Sequence, residues 1–356
     1  MDFLQRQWLW KGLALGLAII VTAGCFLAVP RIAEVLPASL RALLTLSPAR
    51  EPIAALRPEP LPHESVLWEE ISEDVTSSEA EEESAEETLP PQPPEEAITV
   101  LAGNYCWYNL GEAPTLNLMN RTSYAVKLEN YAKKDFPIPP SKEEGPLVLI
   151  LHTHGTESYL PCGVEYYLPE EDFRSRDPRE TVIAVGEVIK EALEEFGIGV
   201  IHDTTMHDAE SFNYAYTYSA VAVREYLQKY PSIRYVIDVH RDSIFDSNDV
   251  CGKTLTTVNG QKTAQLMLVV GTDESGASHP NWKTNLTVAT HLQQTMNLLY
   301  PTLARPINLR EHGFNQWLSG GSFILEVGSC GNTMEEAKQA GMFFASSFAE
   351  LLKKQE

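Results

Sequence analysis

The chain has 356 residues and a formal net charge of -22, from 49 acidic and 27 basic residues. It shows no basic patch or stripe of the kind that neutralises phosphates, which argues against a nucleic acid partner. The charge is also uneven, because no lysine or arginine occurs between residues 58 and 120. One folded domain, preceded by a segment of different character, is therefore expected.

The N-terminus carries an uncharged run of 18 residues, 12–29. This run approaches the roughly 20 apolar residues that span a bilayer, so residues 1–30 are predicted to form a membrane anchor. Arg6 and Lys11 precede the run, which favours a cytoplasmic N-terminus with the bulk of the chain outside. The alternatives are a cleaved signal peptide and lipidation at Cys25, which ends "TAGC".

Residues 31–98 are predicted to be a disordered linker. They include "EEISEDVTSSEAEEESAEETLPPQPPEE" (69–96), in which glutamate and proline accumulate. A stretch of this composition buries too little apolar surface to offset chain entropy, and its like charges repel one another. Residues 99–145 are then expected to be a lead-in segment packed on a folded domain that comprises residues 146–356.

The C-terminal part of the chain alternates short apolar strands with amphipathic helices. In the first helix, apolar residues recur at helical spacing until Gly197 closes it. Thr333 and Glu336 form a capping-box pattern before the last helix. The alternation predicts an α/β fold with a mixed or mostly parallel sheet flanked by helices. The predicted strands are 146–152, 197–203, 234–242, 264–272 and 322–329, and the predicted helices are 179–196, 218–231, 283–299 and 334–353.

Polar side chains occur where three of these strands run out. His152 and His154 follow "LVLIL", His240 follows "YVIDV", and Glu326 lies within "SFILEVGS". In open α/β sheets the ligand crevice forms outside the carboxyl ends of the strands, so these groups are expected to meet. Two or three imidazoles and a carboxylate bind zinc and leave a position open for water, while a nearby carboxylate moves the proton. Glu326 suits the latter role because its strand is otherwise apolar.

The segment from about residue 115 to 352 resembles the stage II sporulation protein P family, the membrane-anchored cell-wall hydrolases of endospore-forming bacteria. The matching stretches include "HTHGTESYLP", "IDVHRDS", "NQWLSGGSFILEVGSCGNTMEEA" and the upstream "NRTSYAVKLENYAKKDFPIP". The resemblance implies a fold similar to that of zinc-dependent N-acetylmuramoyl-L-alanine amidases. These enzymes hydrolyse the amide between N-acetylmuramic acid and the first alanine of the stem peptide of peptidoglycan.

The resemblance also implies a cellular role. Members of the family act in septal wall thinning and engulfment during sporulation, together with the sporulation proteins D and M. The expected location is the mother-cell membrane, which the chain would cross once, with the catalytic domain in the space facing the septum. A membrane anchor followed by an acidic linker fits this layout.

The same resemblance assigns roles to single residues. "HTHGTE" supplies the first histidine ligand of zinc, for which His154 is favoured because His-Gly after a strand is similar to the turn of the wider amidase group. "DVHRD" supplies His240 as the second ligand. "LEVGS" supplies Glu326 as the catalytic carboxylate, which takes a proton from water and delivers it to the departing amine.

The remaining ligand and the residues that hold the substrate are less narrowly defined. His152 and Glu157 are the first candidates to complete the metal site. Glu180, at the start of the following helix, is the reserve, because the wider amidases use a glutamate near that position. Arg241 and Asn315 are expected to hold the glycan or the peptide.

Two other functions are compatible with the sequence. The same site could serve a zinc endopeptidase that cuts cross-links between stem peptides, or the chain could be a non-catalytic anchor that binds the wall. The redox state of the cysteines after the predicted anchor is also open, because connectivity cannot be deduced from sequence. These cysteines are Cys106, Cys162, Cys251 and Cys330.

Overall fold

A computed structural model describes residues 93–106, 115–139 and 141–355 of the chain. The predicted anchor and the predicted linker up to residue 92 lie outside the described residues, so both stay predictions. Within the described ranges, no helix combines the length and the apolar character needed to cross a membrane.

Five α-helices occur in the described part of the chain. The predictions for the four longer helices are confirmed to within a few residues, and the Thr333–Glu336 capping box is formed in the structure. A short helix in the lead-in segment was not predicted. The helices are α1 (Leu128–Ala132), α2 (Val182–Glu195), α3 (Ala215–Lys229), α4 (Trp282–Leu299) and α5 (Met334–Lys353).

Twelve strands occur in the same residues. The predicted strands are present, with ends displaced by up to a few residues. The strands are β1 (Ile98–Thr99), β2 (Leu101–Gly103), β3 (Leu118–Asn120), β4 (Val148–Leu151), β5 (Tyr166–Tyr167), β6 (Val200–His202), β7 (Tyr235–Asp242), β8 (Gly252–Val258), β9 (Gln261–Ala264), β10 (Leu266–Gly271), β11 (Ile307–Arg310) and β12 (Ser322–Ser329).

A central sheet of seven strands organises the described residues, in the order β3-β11-β10-β12-β7-β4-β6. Neighbouring strands are parallel except β10 and β12, which are antiparallel. The prediction of a mixed, mostly parallel sheet is therefore confirmed. The lead-in segment contributes β3 to this sheet, and it pairs β1 with β5 and β2 with β8 outside it.

One face of the central sheet packs against α2, α4 and α5, and we call it the covered face. Alternate residues of each strand enter this core, for example Ile237 and Val239 of β7 and Phe323 and Leu325 of β12. These side chains are fully buried. Since side chains alternate along a strand, the residues between them belong to the opposite face.

Among the described residues, a helix covers only part of the width of the opposite face, and we call it the open face. Helix α3 packs through Val223 on Leu149, Leu151 and Val236 of β4 and β7. Beyond β7, the residues of β10 and β12 that point the same way line a cavity of about 810 Å³. His240 and Glu326 are on this face, because they alternate with the core residues of β7 and β12.

Candidate metal centre

Three of the predicted side chains meet at the carboxyl end of β4 and β7. Ligating atoms of His154, Glu157 and His240 all lie within 4.8 Å of one another. The Glu157 carboxylate lies between the two rings, with Oε1 3.7 Å from Nδ1 of His154 and Oε2 3.4 Å from Nδ1 of His240. Two imidazole nitrogens and one carboxylate oxygen suit zinc.

The turn after β4 explains how His154 and Glu157 reach the same point. β4 ends at Leu151, and the backbone N–H of Glu157 donates to the carbonyl oxygen of His154 at 3.1 Å. The backbone N–H of Arg241 also donates to Oε2 of Glu157, at 3.1 Å. Glu157 is thus held by its own turn and by the neighbouring strand.

Asp238 lies behind His240. The two residues are on the same face of β7, and Oδ1 of Asp238 lies 3.0 Å from Nε2 of His240, a charge contact in which Nε2 does not reach hydrogen-bond geometry among the described residues. Thr153 fixes the Asp238 carboxylate by donating its backbone N–H to Oδ1 at 2.8 Å and its hydroxyl to Oδ2 at 2.6 Å. A carboxylate beside the ring nitrogen that does not bind the metal is a common feature of histidine ligands, because it favours one orientation of the ring.

The electrostatics of this cluster favour a cation. Burial opposes ionisation of Glu157, but His240, His154 and Arg241 hold its pKa well below the usual range. Burial likewise opposes charge on His240, but the carboxylates of Asp238 and Glu157 raise its pKa well above the ordinary value. Two carboxylates kept ionised in a buried position supply negative charge that a metal ion would balance. The donor set and its charge therefore fit a zinc ion.

Aromatic rings form one wall of the site. The ring of Phe212 stacks on His154 with a centroid distance of 4.5 Å, and the ring of Tyr216 meets His154 edge-on at 5.5 Å. Both aromatic residues belong to the segment that opens α3. They restrict the ring of His154 to one orientation on that side.

Glu326 occupies the strand next to His240. The two residues are direct partners across parallel strands β12 and β7. The Oε2 atom of Glu326 is buried and has no hydrogen-bond partner among the described residues. Burial and the carboxylate of Asp242 raise the pKa of Glu326 to about 8, against the opposing effect of His240. A buried carboxyl with a raised pKa beside a potential metal site is suited to proton transfer.

The structure does not bring His152 or Glu180 into this group. The alternation of β4 extends to His152 but not to His154, because β4 ends at Leu151 and the chain turns before His154. His152 instead points toward the covered face, with Nδ1 3.0 Å from the carbonyl oxygen of Val239 and Nε2 2.8 Å from Nε2 of His202. Glu180 is exposed and accepts a hydrogen bond from the Ser175 hydroxyl at 2.6 Å.

Arg241 and Asn315 make contacts within the protein. The guanidinium of buried Arg241 donates to the backbone carbonyls of Ser158 at 3.0 Å and of Phe173 at 2.6 Å. The amide of Asn315 donates to the carbonyl of Tyr216 at 2.6 Å. Arg241 lines the cavity, but these bonds already occupy much of its donor capacity. A substrate-binding role for either residue stays a prediction.

Several cavity residues were not singled out in the sequence. Asn308 and Arg310 of β11, together with Phe212 and Tyr216, line the same cavity as the metal ligands. β11 itself was missed, because "INLR" has only four residues and lacks a long apolar run. The one available signal was the density of aromatic residues in "FNYAYTY" at the start of α3.

The fold and the site define an α/β protein with a candidate His-Glu-His metal centre on the open face of its sheet. The chain belongs to the family described as Stage II sporulation protein P (SpoIIP), whose family model matches residues 60–349. The family resemblance noted in the sequence is thereby confirmed.

One curated relative is the Stage II sporulation protein P of Bacillus subtilis (strain 168). It is 31% identical to this chain over 233 residues, which cover 62% of this chain and 54% of the relative. The chain thus spans about half the length of the curated relative that it matches.

Solved structures with some likeness are amidases. An N-acetylmuramoyl-L-alanine amidase of Nostoc punctiforme, AmiC2, is 14% identical, with a TM-score of 0.35 over 60% of this chain and 98% of its own. The CwlD amidase of Clostridioides difficile, solved in complex with the GerS lipoprotein, is 12% identical, with a TM-score of 0.36 over 59% and 98%. These scores are low, and the fold class rests on the sheet order described above.

Proposed function

We propose that this chain is a zinc-dependent peptidoglycan hydrolase that cleaves the amide between N-acetylmuramic acid and the L-alanine of the stem peptide. The observation that carries the proposal is the meeting of His154, Glu157 and His240 beside Glu326 on the open face of the sheet. Membership of the sporulation family supports peptidoglycan as the substrate.

His154, Glu157 and His240 would hold the zinc ion. When bound, zinc lowers the pKa of a water molecule and polarises the carbonyl that is attacked. The carboxylate of Asp238, 3.0 Å from Nε2, would favour this orientation of the His240 ring. The Arg241 backbone N–H holds Oε2 of Glu157, which fixes the third ligand.

Glu326 would move the proton. The Glu326 side chain lines the cavity, and its Oε2 atom has no hydrogen-bond partner in the described residues, so the carboxylate would accept a proton from the attacking water. A nearby cation favours the ionised carboxylate, which offsets the effect of burial on its pKa. The same group then delivers the proton to the nitrogen of the departing alanine.

The proposed test uses the full chain, purified in detergent and treated with a chelator, then incubated with purified sacculi with and without added zinc. Released fragments are analysed by mass spectrometry. We expect zinc to restore cleavage and the products to carry free lactyl carboxylates and free L-alanine amines. Zinc-dependent products cut only between cross-linked peptides would replace this proposal by the endopeptidase alternative.

Metal analysis provides the matched control for the ligand set. His240→Ala should lose bound zinc, whereas His312→Ala, at an exposed histidine that no ligand contacts, should keep it. Equal zinc content in the two variants would contradict the proposed centre. An inactive wild-type chain that keeps zinc and still binds sacculi would support the non-catalytic anchor.

The proposal extends to location and partners. Residues 1–30 would anchor the chain in the mother-cell membrane, and the acidic linker would hold the catalytic domain away from the membrane and toward the wall. The sporulation proteins D and M would be its partners there. Protease added outside intact protoplasts should digest the catalytic domain, and full protection would contradict the proposed orientation.

A further inference from the structure

The groove of the open face continues past the candidate metal centre. A second cavity of about 570 Å³ shares six lining residues with the one that contains the metal ligands. Its lining includes Arg121, Arg305, Asn308 and Arg310, of which Asn308 and Arg310 also line the first cavity, and we call these four residues the arginine arm. The arm lies on β3 and β11 and on the segments next to them, at the side of the sheet away from β7.

Two members of the arm present buried polar atoms without a partner. Arg305 is only 7% exposed and donates Nη2 to Oδ2 of Asp242 at 2.8 Å, while its Nη1 atom is buried without a hydrogen-bond partner in the described residues. The Oδ1 atom of buried Asn308 is likewise unpartnered there. Since leaving such atoms unpaired is costly, they indicate a place where a polar ligand completes the structure.

Arg310 has no compensating carboxylate. It follows Asn308 by two residues on β11 and therefore lies on the same face. Its guanidinium lies over the ring of Phe314 at 5.9 Å, and no ion pair involves it among the described residues. Two carboxylates line the same cavity: Asp242 pairs with Arg305 of the arm, and Glu311 lies 3.5 Å from His312. The three arginines exceed these two carboxylates, so the lining is locally cationic in a chain whose net charge is -22.

An apolar floor connects the arm to the metal centre. Met267, Val269 and Ile324 of β10 and β12 form a small apolar cluster that lines the groove. From β7 to β11 there are three strand spacings, or about 14 Å. An extended peptide covers about 3.3–3.6 Å per residue, so this distance corresponds to about four residues of backbone, and to fewer where the side chains of the peptide and of the arm span part of it.

We infer that the arginine arm binds carboxylate groups of an acidic peptide whose amide lies at the metal centre. This inference rests on the proposed function and specifies how the peptidoglycan stem is held. The guanidinium of Arg310 pairs with a carboxylate in the fork geometry that arginine favours. Beside it, the Nη1 atom of Arg305 supplies a donor for the carboxylate, and the Oδ1 atom of Asn308 supplies an acceptor for a peptide N–H.

The test measures binding without cleavage. The full chain, kept free of metal by a chelator, is titrated calorimetrically with a muramyl tetrapeptide that carries free side-chain carboxylates and with its carboxamide analogue. We expect the carboxylate form to bind about tenfold more tightly, a preference that falls with added salt. Arg310→Gln should abolish the preference and Arg310→Lys should restore part of it. Arg224→Gln, at an exposed arginine of α3, should leave it unchanged.

The outcomes separate this inference from the proposed function. Equal affinity for the two peptides in the wild-type chain, or a preference that survives in Arg310→Gln, would overturn the arginine arm even if sacculi are cleaved. A preference that depends on Arg310 in a chain that releases no cleavage products would support the arm and contradict the enzymatic proposal. Circular dichroism of each variant checks that the fold is retained.

A second, independent observation concerns two buried thiols. Cys251 lies just before β8 and Cys330 just after β12, and both side chains are fully buried. Their sulfur atoms are 2.7 Å apart, well inside the roughly 3.5–4.0 Å of ordinary non-bonded contact. Two cysteines this close need little movement to reach the geometry of a disulfide.

We propose that Cys251 and Cys330 form a disulfide when a protein or low-molecular-weight disulfide serves as the oxidant. One protein thiolate attacks the oxidant and releases its first sulfur as a thiol, and the other thiolate then attacks the mixed disulfide and releases the second. The two protein thiols lose two protons and two electrons, and the oxidant gains them as two thiols. The bond joins the start of β8 to the end of β12, the strand that carries Glu326.

Incubation of the full chain with oxidised glutathione, followed by peptide mapping without reductant, tests the bond. We expect a linked pair of peptides containing Cys251 and Cys330, and a higher midpoint of thermal unfolding that a reductant reverses. Cys162→Ser, at an exposed cysteine, should keep the link, and Cys330→Ser should lose it. Free alkylation of both cysteines after denaturation of the oxidised chain would contradict the proposal.

Discussion

The two faces of the central sheet are built from the same strands but have different tasks. On the covered face, alternate residues such as Ile237 and Leu325 pack under α2, α4 and α5. On the open face, the residues between them along the strands, such as His240 and Glu326, line a groove that no described helix fills beyond β7. The difference shows that residues that stabilise the core and residues that line the candidate site alternate along the same strands.

The two histidines of "HTH" illustrate the same division. His152 continues the alternation of β4 toward the covered face, where it meets His202 and lies against Gly186 of α2. A Cβ atom at Gly186 would come within 2.6 Å of Nε2 of His152, so only glycine leaves room for the ring. His154 comes after the turn and joins the open face. The two residues are therefore expected to fail in different ways when replaced.

The largest expected effect is on the open face. Glu326→Gln should reduce cleavage of sacculi by about 10²–10⁴-fold, because the amide cannot accept the proton of the attacking water. The fold should be at least as stable as that of the wild type, since the change removes a buried carboxyl whose charge is opposed by burial. Cleavage rates, zinc content and urea unfolding of the full chain measure the three quantities.

Glu195→Gln is the matched control, because Glu195 is an exposed glutamate of α2. Its cleavage rate should equal that of the wild type. If Glu326→Gln kept its zinc and its rate, another group would have to move the proton. If it unfolded instead, the open face would be contributing to stability and the division between the two faces would not hold.

Neighbouring residues of β10 test the division directly. Leu268 points into the covered core and Met267 lines the groove. Leu268→Ala should lower the free energy of unfolding by about 2–5 kcal/mol through lost burial and a cavity. Met267→Ala should cost less, because the space it leaves joins the groove, and it should instead raise KM for the substrate.

Urea unfolding and steady-state cleavage of both variants provide the comparison. An equal loss of stability would mean that the apolar floor is part of the core. An unchanged KM in Met267→Ala would show that the peptide does not cross β10.

A third pair of substitutions compares the histidines of the motif. His152→Ala should lower the free energy of unfolding by about 3 kcal/mol, because it leaves a cavity and an unpaired nitrogen of His202 in the interior. It should keep zinc. His154→Ala should lose zinc and cost less stability, since its ring is partly exposed. Zinc loss in His152→Ala, with the fold intact, would return His152 to the ligand set.

The fold was largely predictable because its longer elements carry strong periodic patterns. The strands around Val239 and Leu325 and the helices α2 and α5 follow from apolar spacing and caps alone. β3, β11 and the β8–β9 hairpin were missed, since they are short or polar and exist through pairing with distant partners. The sequence indicated His154, His240 and Glu326 because polar groups that end apolar strands need an explanation.

The rest of the site depends on geometry that no local pattern encodes. The place of Glu157 between the two rings is set by the turn after β4 and by the Arg241 backbone, 84 residues away in the chain. Arg305 and Asn308 reach the groove only because β11 lies two strands from β12 in a non-sequential order. Spacing alone also suggested that His152 and His154 share a face, which fails because β4 ends between the core residues and the second histidine.

The smallest expected effect compares two titratable side chains with buried atoms that lack partners in the described residues, Glu326 at the open face and His279 just before α4. Burial raises the pKa of Glu326 and lowers the pKa of His279 to about 4. Between pH 6.5 and 4 the unfolded chain binds a proton at His279 that the folded chain does not. The free energy of unfolding should therefore fall as the pH drops through this range, by about 2 kcal/mol between pH 6.5 and 5.

His279→Phe should lose that part of the pH dependence in urea unfolding, whereas His312→Phe, at an exposed histidine, should keep it. Identical slopes in the two variants would mean that water reaches the His279 ring, and that burial there does not exclude charge as it does around Glu326.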